Sequence, residues 1–150
     1  MGFWDDIKGA VSSGFKSLSD EVSKYKNQPF LDAVLAAAAM VAAADGKVDS
    51  SEKKKLMSFV TNNELLSVFE PAVVIETFKK YLDIVERDPD FGPTECMAVV
   101  KKLKGKPEAD IAISVCCAIG KADGDFDKDE KEIVKQMCVA LGIDPAQFSL

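Results

Sequence analysis

The chain contains no histidine. That removes a common transition-metal ligand and every catalytic triad built on an imidazole base. Its four cysteines, Cys96, Cys116, Cys117 and Cys138, never stand in CxxC spacing and fall in apolar helical runs, a usage that suits a reducing cytosol. No apolar run is long and pure enough to span a bilayer, since residues 33–44 make a stretch of twelve that is mostly alanine. Asp5 and Asp6 interrupt the start, where a cleavable leader would need its apolar core. Positive charge is the minority, 19 Lys and Arg against 25 Asp and Glu, and the net of -6 argues against a nucleic-acid surface. Glycine-rich phosphate loops, nucleophile elbows and the alternating pattern of a strand are missing as well. The sequence therefore carries no recognisable catalytic apparatus.

What it does carry is a repetition. The stretch ADGKVDSSEK at 44–53 returns as ADGDFDKDEK at 122–131, an offset of 78 residues. Seven of the ten positions match, six by identity and one as the apolar pair Val48 and Phe126. Upstream, Pro29 and Asp32 reappear as Pro107 and Asp110; downstream, Leu56 and Phe59 correspond to Val134 and Met137. With 150 residues and 47% apolar content, the chain has material for one domain with a real core. The expected fold is all-α, with seven or eight helices and two duplicated helical hairpins related by a pseudo-twofold axis.

Each repeated turn has a local logic. Gly46 and Gly124 follow apolar helical runs and are suited to stop them. Asp49 and Asp127 then fall where an N-cap is wanted, three residues before Glu52 and Glu130, which is capping-box spacing. Capping does not explain Asp45 and Asp123, which lie at the carboxyl end of the preceding helix, where a negative charge is unfavourable. An Asx-turn, a lysine or a cation would compensate them. In the second copy Asp123, Asp125 and Asp127 alternate, a spacing that can bend carboxylates round calcium or magnesium. An EF-hand loop is excluded, because its obligatory glycine would be Lys128 and its bidentate glutamate Val134. In the first copy Lys47 replaces Asp125, so the second turn is expected to bind a cation more tightly.

Taken in order, residues 1–26 form an amphipathic helix with Trp4, Ile7, Val11, Phe15, Leu18, Val22 and Tyr25 in one stripe. Its charges balance, which favours packing on the domain over insertion into a membrane. Residues 27–150 make the helical domain proper. Asn27, Gln28 and Pro29 break the first helix from an alanine-rich one at 30–44, apolar nearly all round and hence central. An amphipathic partner at 50–62 turns Leu56, Phe59 and Val60 inward and leaves Lys53 to Lys55 as a solvated face. A short helical turn at 65–69 precedes Pro71, which opens a helix to about Arg87 with Val74, Phe78, Tyr81, Leu82 and Val85 buried. Another helix is expected at 94–104, then the second copy, then a short helix from Pro145 through Phe148.

Cys116 and Cys117 sit mid-helix among apolar neighbours, which reads as buried small side chains. The alternatives are a thiol-dependent oxyanion reductase that uses this pair and a membrane-peripheral scaffold docked by the first helix.

On its two Ala-Asp-Gly turns, Ala44-Asp45-Gly46 and Ala122-Asp123-Gly124, each with a glutamate seven residues after its Asp, the sequence resembles the TerB family over about 29–148. The resemblance implies an all-helical, internally duplicated, bacterial cytoplasmic protein. Its implied role is a non-enzymatic one in resistance to tellurite and related stress. It also implies partners among other proteins of the resistance system, including an integral membrane component, with peripheral membrane association. Metal ions would be held by Asp45, Asp49, Glu52, Asp123, Asp127 and Glu130. The expected cofactor is a divalent cation, Ca2+ or Mg2+, with no organic group.

Overall fold

The computed structural model describes residues 20, 22–44, 50–61, 66–122 and 128–148. Among these it is helical throughout: α1 (Gln28–Ala42), α2 (Ser50–Thr61), α3 (Pro71–Arg87), α4 (Gly92–Lys101), α5 (Glu108–Ala122), α6 (Lys128–Leu141) and a closing 3-10 turn, Pro145–Phe148. No strand occurs among the described residues. Six α-helices stand among the described residues, against the seven or eight expected, and Asp20 and residues 22–24 are helical as well. Leu66 to Phe69 makes only a turn, and the stretch before Asp20 lies outside the described residues.

Helix α1 is the hub. Asn27 caps it, accepting from the Phe30 amide at 2.9 Å, and a proline occupies its first turn. Alanine is the best helix former and presents little bulk, so neighbouring helices can close on it from several sides. Every residue from Phe30 to Val41 except Asp32 is buried, and α1 packs against α3, α4, α5 and α6. Phe30, Leu31, Leu35, Phe78 and Leu82 supply the volume around the alanines.

The α3 stripe is as its spacing predicts, with Val74, Phe78, Tyr81, Leu82 and Val85 buried and Thr77 added between them. Helix α4 starts two residues earlier than expected and ends at Lys101 instead of 104. The early end follows from residues 102–105, which wind as turns toward Gly105 at φ +80°. Gly92 permits the sharp α3–α4 corner. A Cβ there would lie 2.5 Å from the Ile84 carbonyl oxygen and 2.9 Å from the Val85 Cα.

Helix α6 ends in a Schellman motif. Gly142, at φ +74°, donates to the Val139 carbonyl at 3.1 Å, and Ile143 donates to the Cys138 carbonyl at 2.8 Å. Of residues 1–26, the described Val22 is fully buried, and Tyr25 packs its ring 6.0 Å from that of Phe30.

Candidate functional site

The helices flanking the repeated turns fix where their acids belong along the chain. Helix α2 begins at Ser50 and α6 at Lys128, 78 residues apart, the same as the sequence offset. Glu52 and Glu130 therefore occupy the third helical position of their helices, the capping-box place, with Asp49 and Asp127 the residues just before each start. Asp45, Asp49, Asp123, Asp125 and Asp127 themselves lie outside the described residues, as does the Glu52 side chain. The expected pseudo-twofold relation of the two hairpins rests on these same turns, which lie outside the described residues.

Glu130 is the one candidate ligand whose surroundings are on view. It is half-buried, and its charge contributes, after burial and Cys138, to raising the Cys116 thiol of α5. Among the described residues no group of three or more histidines, cysteines or acids is placed to hold a metal. Glu130, Cys116 and Cys138 thus do not form a ligand set among themselves. Any cation site would need the turn residues to complete it.

All four cysteines are buried and unbridged. Burial pushes the Cys96 thiol up to about 11, with a smaller contribution from Glu95. Burial likewise raises Cys138 to about 11 and Cys116 to about 12, and carries Cys117 further still. Desolvation is the leading cause each time, because a thiolate would stand without water or a cation. A nucleophilic or redox cysteine needs the opposite setting. The repeat says the same thing independently: Cys116 and Cys117 correspond to Ala38 and Ala39 of α1, and Cys138 to Val60 of α2, all buried. The cysteines fill small apolar positions.

Two polar arrangements escaped the sequence reading. Lys53 does more than face solvent: its Nζ lies 3.2 Å from Glu86 Oε2 and 3.6 Å from Asp83 Oδ1, tying α2 to α3. Lys54 is exposed as expected. At the α1–α3 contact, Gln28 Nε2 donates to Asp32 Oδ1 at 2.9 Å and to Thr77 Oγ1 at 3.2 Å. Burial, then the charge of Asp32 and a hydrogen bond to it, push the Tyr81 phenol up to about 12. The second-copy counterpart Asp110 is exposed. Periodicity could flag Asp32 as the lone polar residue of an apolar run, but not its partners on α3.

Comparison with known proteins adds the family. Residues 31–150 match the family described as "Tellurite resistance protein TerB". A relative from Alcaligenes sp, "Tellurium resistance protein TerB", is 39% identical over 109 residues, covering 73% of this chain and 89% of that protein. No solved structure matches. The match spans both copies of the repeat and every helix from α1 onward except the first residues of α1, so the chain belongs to the TerB family.

Proposed function

We propose that this protein serves tellurite resistance without catalysing a reaction, as a module that binds a divalent cation at its acidic turns and engages partner proteins at the cytoplasmic face of the membrane. The observation that carries the reading is the family match, which spans both Ala-Asp-Gly turns and names tellurite resistance. The donor chemistry supports the cation: the turns offer only carboxylates, hard oxygen ligands that favour calcium or magnesium over soft metals. Asp123, Asp125, Asp127 and Glu130 form the stronger set, and Asp45, Asp49 and Glu52 the weaker, because Lys47 places an ammonium among them. A bound cation would neutralise the acid that the helix dipole leaves unfavourably placed at the end of α5. It would also join the end of α5 to the start of α6. Partner proteins of the resistance system, including a membrane component, would then read the cation-bound turn.

The test is a calcium titration followed at each backbone amide. Signals at Gly124 and Asp125 shift first, and those at Gly46 and Lys47 only at higher concentration. Unchanged spectra at millimolar calcium and magnesium leave the acids with capping alone. The thiol-reductase alternative has no observation in its favour, since the Cys116 and Cys117 thiols are buried and held protonated.

A further inference from the structure

Positive charge is unevenly placed on this acidic chain. Between Cys96 and Pro107 stand Lys101, Lys102, Lys104 and Lys106 with no acid among them. Since the whole chain carries -6, removing these four charges leaves -10 on the remainder. All four lysines are exposed, and none belongs to an ion pair among the described residues. The backbone beneath them is well defined. Amides of Lys102, Leu103, Lys104 and Lys106 donate to the carbonyls of Val99, Val100, Lys101 and Leu103 at 2.9–3.2 Å. Leu103, 1% exposed, pegs the turn into the core, and Gly105 reverses the chain at φ +80°. The helix dipole explains Lys101, which lies in the last turn of α4. Lys102, the C-cap residue, is explained in the same way; Lys104 and Lys106 are not.

We propose that this lysine turn is a docking surface for an anionic phospholipid bilayer. The proposal rests on the membrane-face part of the function above and not on its cation part. Four exposed lysines stand within six residues of one turn. The acids nearest along the chain are Glu95 and Glu108, and salt screens exposed charges beyond about 8 Å. Nucleic acid fits worse, for it calls for an extended cationic track with stacking aromatics, and residues 96–107 contain no aromatic side chain. Juxtamembrane lysines each strengthen binding to an anionic surface by roughly fivefold. Four of them give an attraction that is real, weak and salt-sensitive.

The experiment uses the full chain in EDTA, sedimented with vesicles of phosphatidylcholine alone or containing about 30% phosphatidylglycerol. The variant is Lys101→Gln, Lys102→Gln, Lys104→Gln and Lys106→Gln together. Its charge-matched control replaces the exposed Lys54, Lys79, Lys128 and Lys135 with glutamine instead. Circular dichroism confirms that both keep their helices. Expected are binding only to the anionic vesicles, release at about 0.5 M salt, a loss of about tenfold or more for the turn variant, and a loss of less than about threefold for the control. No binding in EDTA, equal losses in the two variants, or tighter binding to an oligonucleotide than to anionic vesicles would overturn it. Binding that appears only with calcium would also overturn it and assign membrane contact to the acidic turns. A failed cation titration leaves these outcomes untouched.

Discussion

Raising the pH should unfold this protein through its thiols, and the size of the effect follows from their burial. In the folded chain Cys96 and Cys138 hold their protons to about 11, Cys116 to about 12 and Cys117 beyond, against an ordinary value of 9.0. A group whose folded pKa is raised contributes stability that is intact below the unfolded pKa and lost as pH climbs through it. Here the window opens near pH 9 and runs to about 11 or 12. At pH 10 each thiol is mostly ionised in the unfolded chain and protonated in the folded one, a loss of a little over 1 kcal/mol per group, or about 5 kcal/mol for four. Domains of this kind hold only about 5–15 kcal/mol in total. The assay is urea unfolding at pH 7.5 and pH 10, on wild type and on Cys116→Ala with Cys117→Ala, the residues found at the same places in the first copy. Lysine and tyrosine titration is common to both proteins, so the difference between them isolates the pair. The variant should lose about 2–3 kcal/mol less between the two pH values. Equal losses would refute the reasoning, showing the thiols to be solvated, and would reopen the reductase reading. The same variant should leave tellurite tolerance in place.

Two further outcomes test the packing. Gly92→Ala should cost about 1–3 kcal/mol, since its methyl would meet the α3 backbone and not a yielding side chain; an unchanged urea midpoint would contradict the close corner. Lys53→Gln and Glu86→Gln, combined in a double-mutant cycle, should couple by no more than about 1 kcal/mol and fade in high salt, because both side chains are about a third exposed.

The sequence displayed its helices best where a proline or a periodic stripe marked them. Pro71 and the five apolar residues of α3 gave that element almost to the residue, and the alanine run at 33–39 could only be a buried hub. Boundaries failed where the stop signal was a conformation and not a residue type. The end of α4 is the case in point: the chain leaves the helix at Lys101 and winds through turns to Gly105 at positive φ, three residues before the expected end at 104. Cross-helix pairs such as Lys53 with Glu86, or Gln28 with Thr77, were illegible for another reason: nothing in local spacing says which helix lies alongside. The cysteines were readable as core from their neighbours, and the repeat strengthens that by pairing them with alanines and a valine. The acidic turns were the most visible feature of the sequence, and Glu130 is the part of them whose setting the structure describes.

The central claim is that the second acidic turn holds more carboxylates than its helices require and uses the surplus on a cation. The most direct measurement is the calcium titration repeated on Asp125→Lys, which gives the second turn the lysine that the first has at Lys47. Wild type should show the amides around Gly124 saturating well before those around Gly46, and the variant should weaken the second site by about tenfold or more, to the level of the first. Identical titrations for the two proteins, or no amide shifts at either turn, would contradict the claim.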